Sequence, residues 1–408
     1  MYDFLLFENY HLAHHHRMDV LIIAKMLKSQ GLNVAIFDIY HEDSADDIEG
    51  IPVLHWNSKV SIPDDSWMMR KHTVFETLIK STVFQRQLHC YMKEVKSFIK
   101  DKAKNFYCGS YHNGMSTVLF DIHKPCYWWG LRSDRFNFSI RKLIPSPYYG
   151  LHLLKERKKF IRNPNQRLFV SNQIIMDEHE RLGIPRNRMI IREERVVEKP
   201  TDAKLNMLDQ NVSFLVIGQL RKEKHIPTTI AAFKKANINE AMLKLIGRSQ
   251  GEYEEEIFKA IDEDNRIFRL NAFLEYDDFN KHFSSSHFVL FADEEGPSCI
   301  TNGTMTEALI NHRPIVCPNY NPYKYYIEKY GVGLLYEAGN KDSYASVLEK
   351  ASELGVLSFQ PSIERYLHTI QFDVVATKLV RDIKKTVKHY DSKEKASSFL
   401  SSSRYDDE

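Results

Sequence analysis

Short apolar runs alternate with amphipathic stretches of helical period along most of this chain, and the alternation breaks once. YDFLLF (2–7), the stretch 17–31 ending in Gly31, and NVAIFDI (33–39) read as strand, glycine-capped helix and strand, one βαβ unit. A long helical stretch over about 64–102 follows, and NFYCGS, CYWWGL and QRLFVS continue the series of short apolar strands separated by helices. Around 192–210 the apolar period disappears and Pro200 enters, the composition of a linker. The pattern then restarts. NVSFLVIG, a helix near 226–236, MLKLIG, a helix near 253–262, RIFRL, a helix near 276–285, HFVLFA, a helix after Thr304, and RPIVC follow in turn. Apolar strands joined through helices fit parallel sheets covered on both faces. The sequence therefore predicts an α/β chain of two tandem, Rossmann-like, doubly wound domains, residues 1–195 and 211–360. C-terminal helices over 361–390 are expected to pack back across them, and the Ser-rich, charged tail 391–408 to be disordered. Ligands are expected in the cleft between the domains, at the carboxyl ends of the strands.

Charge and cysteine content narrow the partners. A formal net charge of +2 over 408 residues, with no cysteine-histidine finger and no aromatic-rich RNA-binding signature, argues against nucleic acid. Cys90, Cys108, Cys126, Cys299 and Cys317 are odd in number and widely spaced, which suits a reducing compartment and neither a disulfide frame nor a structural zinc site. The first residues lack the basic and long apolar regions of a signal peptide. No apolar run approaches the roughly 20 residues of a membrane span. A cytoplasmic protein is expected, with any membrane contact peripheral.

The stretch ADEEGPSCITNGTMTEALINHRPIV (292–316) places a polar, glycine-containing loop directly before a helix and a buried strand. Backbone N–H groups and the helix dipole hold phosphate in such a geometry. Asn302-Gly303 supplies the turn, Thr304 is an N-cap candidate, and Glu307 can close a capping box onto it. An ordinary capped helix accounts for Thr304 and Glu307. Ser298, Thr301 and Asn302 add more small polar groups than capping requires.

Several ordered motifs now point to a family. VIGQLRKEKHI (216–226) resembles the strand-end motif G-R-L-x-x-x-K-G of GT-B glycosyltransferases of the family-four, retaining group that build bacterial surface polysaccharides. MLKLIG resembles that group's next strand ending in glycine. FVLFADEEGPSCITNGTMTEALINHRPIV resembles its donor loop, helix and following strand, and YGVGLLYEAGNKDSYASVL its closing segment. The resemblance covers about 211–350 and extends into LGIPRNRMIIREERVV (182–197), which looks like the end of the acceptor domain. Two positions depart from the pattern. Gln219 stands where the family has arginine, and Glu295 and Glu307 are separated by eleven intervening residues where the family has seven between its two glutamates.

The resemblance implies a glycosyltransferase that takes a sugar from a nucleoside diphosphate and passes it to a glycan or lipid-linked acceptor, needing no metal or redox cofactor. A departing diphosphate requires fixed cations and N–H donors where negative charge grows. Lys224 stands at the family's lysine position, and Arg221 adds a bidentate partner from the same loop. A solvated basic loop satisfies both residues equally. Gly218, Gln219 and Gly247 end the strands beside the nucleotide. Glu307 resembles the glutamate placed on the ribose, and Glu295 the one that contacts the donor sugar.

In the first domain, FYCGSYHNG puts His112 just after a strand, by position like a histidine that touches the donor sugar or reaction centre. A loop histidine with a local hydrogen bond reads the same way. The cluster His11, His14, His15, His16 admits a polar helix entry, an acceptor contact or a zinc site. YWWGLRSDR (127–135) reads as core tryptophans with surface arginines, or as a stacking platform for a sugar ring or lipid diphosphate. Residues 141–162 mix aromatics and leucines with excess Lys and Arg, as a solvated helix face does, or a segment docking to an anionic membrane surface. Two rival functions stand beside the glycosyltransferase: a non-catalytic sugar-nucleotide-binding scaffold subunit of a glycan assembly complex, motivated by Gln219 and the glutamate spacing, and a sugar-nucleotide epimerase, a different reaction of the same fold.

Overall fold

The computed structural model describes residues 1–7, 14–39, 45–60, 74–109, 119, 121–130, 157–193, 195–198, 211–293 and 303–386. Two compact units emerge: Met1–Glu194 with Asp373–Glu408, and Arg195–Phe372. The stretch expected to form C-terminal helices is thus divided between them.

The first unit is built on eight strands: β1 (Tyr2–Phe7), β2 (Val34–Phe37), β3 (Asp47–Ile48), β4 (Ile51–Leu54), β5 (Ala103–Cys108), β6 (Cys126–Trp129), β7 (Gln166–Val170) and β8 (Met189–Ile191). Their order is β3-β4-β2-β1-β5-β6-β7-β8, parallel throughout except for the short β3, which runs antiparallel to β4. Helices α1 (His14–Ser29), α2 (Val74–Ile99) and α3 (Gln173–Arg181) supply crossovers. Gly31 closes α1 at φ 79°, the left-handed cap that its place in the sequence requires. Leu5, Leu6 and Phe7 on β1 and Phe106, Tyr107 and Cys108 on β5 are wholly buried, as a sheet with both faces covered demands.

The second unit carries β9 (Ser213–Ile217), β10 (Met242–Ile246), β11 (Ile267–Leu270), β12 (Phe288–Leu290), β13 (Ile315–Pro318) and β14 (Gly333–Tyr336). All pair in parallel, in the order β11-β10-β9-β12-β13-β14. This is the doubly wound order 3-2-1-4-5-6, whose direction reverses between its first and fourth strands. Here those strands are β9 and β12. Stacking of Phe214 on Phe288, centroids 5.8 Å apart, fastens the two strands at this point, and Phe288 also makes an edge contact with Phe359 at 6.1 Å.

Helices α4 (Ile226–Lys235), α5 (Glu252–Ile261), α6 (Tyr276–Ser284), α7 (Gly303–Ile310), α8 (Tyr323–Tyr330), α9 (Lys341–Leu354) and α10 (Gln360–Thr369) complete the unit. A further helix, α11 (372–386), begins as the chain returns to the first unit. Entry into and exit from the second unit run side by side: Val197 N donates to the Ile370 carbonyl at 2.9 Å and Phe372 N to the Val197 carbonyl at 3.0 Å. No helix among the described residues is long and apolar enough to cross a membrane.

Candidate active site

The candidate site forms where β9 and β12 diverge. At the end of β9, Gly218 takes φ 100° and its N–H bonds to the Ile246 carbonyl at 3.1 Å. Leu220 turns inward to 1% exposure, with its N–H on the Arg248 carbonyl at 2.9 Å. A 3-10 turn, Lys222–Lys224, and then His225 at φ 44° bring the chain into α4, where Pro227 fits the first turn because that turn needs no N–H from it.

This path folds Lys224 back over the strand it has just left. Its Nζ donates to the Ile217 carbonyl at 3.4 Å. A Cβ built on Gly218 would lie 3.5 Å from Lys224 Nζ and 3.7 Å from Thr304 Oγ1. Gly218, Lys224 and Thr304 therefore border one small space, although Thr304 is far along the chain on α7. Burial pushes the Lys224 ammonium below its usual pKa, Asp293 pulls it back up, and the charge of Arg221 pushes it down. A partly desolvated cation crowded by a second cation is an anion site in waiting.

Asp293 lies on the segment leaving β12, and no motif singles it out. The Tyr323 hydroxyl donates to its carboxylate and the Tyr320 hydroxyl to its carbonyl oxygen. Tyr323 thus holds the charge that Lys224 feels, and Tyr320 holds the Asp293 backbone.

The capping box does not form as expected. Helix α7 starts at Gly303, so Thr304 lies within its first turn, and Glu307 is too far along to reach back to an N-cap. Glu307 is instead buried to 6% exposure on a helix with Met305, Ala308 and Leu309 in the core. Its Oε1 lies 3.9 Å from Nη2 of Arg195. Arg195 stands in the segment that the sequence reads as linker, and nothing in its local pattern singles it out.

Beside Gly218 opens a cavity of about 330 Å³ at the ends of β9, β10 and β11. Gln219, Gly247, Arg248, Phe273 and Leu274 are among the residues that line it. Behind Gly247, Arg269, whose side chain is 4% exposed, reaches Glu254 at 2.7 Å, the Gly247 carbonyl at 2.9 Å and Ser249 Oγ at 3.0 Å. Motif reading reaches Gly218, Gln219 and Gly247; the other walls come from loops without a signature.

Arg221 is exposed on the turn before Lys224. His112, Glu295, Ser298, Thr301 and Asn302 lie outside the described residues, as do His11 and positions 131–156 of the basic aromatic stretches. His14, His15 and His16 open α1. Of YWWGLRSDR, Trp128 is a core residue donating to Gln166 Oε1 at 2.7 Å, and Trp129 is buried under the Arg192 guanidinium at 4.5 Å. Neither ring is free for a sugar.

Residues 198–362 match the family Glycosyl transferases group 1. No curated protein matches the chain in sequence. Among solved structures, the chain is similar to the lipopolysaccharide outer core galactosyltransferase WaaB at 12% identity and TM-score 0.62, covering 94% of this chain and 99% of that one. It is similar to Anabaena Alr3699/HepE, solved in complex with UDP, at 12% identity and TM-score 0.65, over 94% of this chain and 100% of that one. That protein is also solved in complex with UDP-glucose. A glycosyltransferase from Rickettsia africae aligns at 14% identity and TM-score 0.65, over 95% and 99% of the two chains. The expected pair of doubly wound sheets is present, the chain shares the GT-B fold of these structures, and the match to Glycosyl transferases group 1 falls on its second unit.

Proposed function

We propose that this enzyme moves a sugar from a nucleoside diphosphate to a glycan or lipid-linked acceptor in the synthesis of bacterial surface polysaccharide, with retention at the anomeric carbon. The observation that carries the donor assignment is the convergence of Gly218, Lys224 and Thr304 at the point where β9 and β12 diverge. Complexes of the Anabaena protein with UDP and UDP-glucose support a nucleotide sugar as the ligand. The lipopolysaccharide role of WaaB supports the class of product.

In this reading the base enters the cavity beside Gly247, Glu307 accepts from the ribose hydroxyls, and the diphosphate lies between Lys224, Thr304 and the amino end of α7. As the bond from the anomeric carbon to the diphosphate oxygen breaks, the acceptor hydroxyl oxygen bonds to that carbon and its proton passes to the departing phosphate oxygen, and negative charge grows on the leaving group as the bond opens. Lys224 and Arg221 meet that charge in place of a metal ion. Lys224 is already partly stripped of water, so it needs little reorganisation when the charge arrives. Its removal is expected to cost about 2–4 kcal/mol of transition-state stabilisation, roughly a hundredfold or more in rate. Glu295 and His112 are assigned to the donor sugar by position. The enzyme works in the cytoplasm, and the basic stretch 141–162 brings it to an anionic membrane face where a lipid-linked acceptor waits.

The test is calorimetry of the purified chain against UDP, GDP, dTDP, CMP and ADP, followed by product analysis with the matching sugar nucleotide, alone and with acceptors. Binding of one nucleotide, lost in Lys224→Ala, and sugar transfer dependent on acceptor are the expected results. A product formed from donor alone identifies an epimerase instead, and binding without any product a scaffold.

A further inference from the structure

The turn after β9 carries Gln219 where the resembling group carries arginine, so this strand end offers a departing diphosphate one guanidinium fewer. A guanidinium nevertheless stands at the start of α7, the helix whose Thr304 borders the space beside Gly218. Arg195 opens the second unit, with its Nη2 3.9 Å from Glu307 Oε1 and 3.9 Å from the point where a Cβ on Gly303 would sit. Gly303 is the first residue of α7, and the next residue, Thr304, shares the space beside Gly218 with Lys224. Arg195 therefore occupies the same helix end as the groups assigned to the diphosphate.

Its backbone is anchored. Two residues on, Val197 bonds to both Ile370 and Phe372 and packs against the core of the unit. Its side chain, by contrast, is 52% exposed, and a 3.9 Å approach to Glu307 is longer than a hydrogen-bonded ion pair. At that distance Glu307 keeps the guanidinium close without a bidentate pair, and a half-exposed fork of five donors suits a doubly charged anion.

We infer, resting on the donor-site reading above, that Arg195 binds the donor diphosphate, supplying from the start of the second unit the guanidinium that Gln219 does not supply at the end of β9. Glu307 then has two tasks: it holds Arg195 at the amino end of α7 in the empty site, and accepts from the ribose when the donor is bound. A pair that served the fold alone would change stability without changing how strongly phosphate groups add to affinity.

The experiment is calorimetry of the full chain with the best-binding diphosphate among UDP, GDP, dTDP and ADP, and with the matching monophosphate and nucleoside. Wild type is expected to bind the diphosphate more tightly than the nucleoside. In Arg195→Ala the diphosphate affinity falls about tenfold or more, while nucleoside affinity changes less than about twofold. Adding Gln219→Arg to Arg195→Ala restores most of the lost affinity. Arg195→Lys, which keeps charge and most bulk, gives an intermediate diphosphate affinity and serves should the alanine variant unfold. If wild type binds none of the diphosphates, the donor-site reading falls and this assignment with it. If wild type binds them and the variants keep its diphosphate-to-nucleoside ratio, or lose both ligands equally, the Arg195 assignment alone is overturned.

Discussion

A Cβ placed on Gly247 would lie 2.7 Å from the carbonyl carbon of Gly218 and closer still to its oxygen. The ends of β10 and β9 pass each other with no room for a side chain, and Gly247 holds φ 132°, a region costly for any other residue. Gly247→Ala must displace Gly218 and with it the space bordered by Lys224 and Thr304. It is expected to cost about 2–3 kcal/mol of stability and to abolish nucleotide binding. Gly218→Ala meets no atom closer than 3.5 Å, so it should lose less stability at its φ of 100° yet still obstruct the ligand. Urea midpoints and calorimetry on the two variants decide the matter, and a Gly247→Ala protein as stable as wild type would refute the steric account.

Lys224 should weaken the fold it belongs to. Burial and Arg221 lower its pKa from 10.5, and the opposing pull of Asp293 does not cancel them. Across the window between the folded pKa and 10.5 the unfolded chain binds more protons, so stability rises with pH there. The penalty is fully present below the folded pKa and fades as pH approaches 10.5. Lys224→Met is therefore expected to match or exceed wild type in stability at pH about 7 while losing nucleotide binding, and this advantage should shrink in alkali. Denaturation at neutral and alkaline pH tests it; a clearly less stable variant at neutral pH would show that Lys224 serves the fold.

Residues that shape this site differ in how far sequence alone exposes them. Strands such as FLVI at 214–217 are legible because both faces are buried, which leaves an unbroken apolar run. The hairpin of β3 and β4 escapes that reading, because two paired residues around a turn at Glu49 and Gly50, both with positive φ, leave no run to detect. Lys224 and Thr304 each stand in a recognisable motif, but their meeting depends on β9 and β12 being neighbours, which no local pattern encodes. Arg195 and Asp293 are harder still: each acts through partners fixed by tertiary packing, Glu307 for one and Tyr320 and Tyr323 for the other.

The Arg269–Glu254 pair is predicted to matter more for the shape of the cavity than its distance from the phosphate end suggests. Their side chains are 4% and 14% exposed. Burial works against the Glu254 charge, but hydrogen bonds from Arg269 and Ser249 outweigh it and hold the carboxyl below its usual pKa of 4.5. That stabilisation is present above 4.5 and is lost as pH falls through the folded pKa. Arg269→Met leaves a buried carboxylate and frees the Gly247 carbonyl, at a cost of about 3–5 kcal/mol. Thermal unfolding of the single variants and of Arg269→Met with Glu254→Gln checks this. The double variant should recover part of the loss, and wild type's margin over Glu254→Gln should narrow in acid.

Ala272 lines the 330 Å³ cavity with Phe273 and Leu274, and Lys224 is not among the residues that line it. It is half-buried on the loop after β11, so a larger side chain can enter the cavity without crossing a strand. Ala272→Trp is expected to fill the space assigned to the base. A base stacked in such a pocket gains from apolar burial, and losing that contact should weaken nucleoside and nucleoside diphosphate binding together, by about tenfold or more. This is the opposite signature to Arg195→Ala, which is expected to spare the nucleoside. Inorganic pyrophosphate, which has no base, should bind Ala272→Trp as it binds wild type. Calorimetry with nucleoside, diphosphate and pyrophosphate on both variants separates the two ends of the site; equal loss of pyrophosphate in Ala272→Trp would mean that the cavity and the Lys224 cluster do not hold different parts of one ligand.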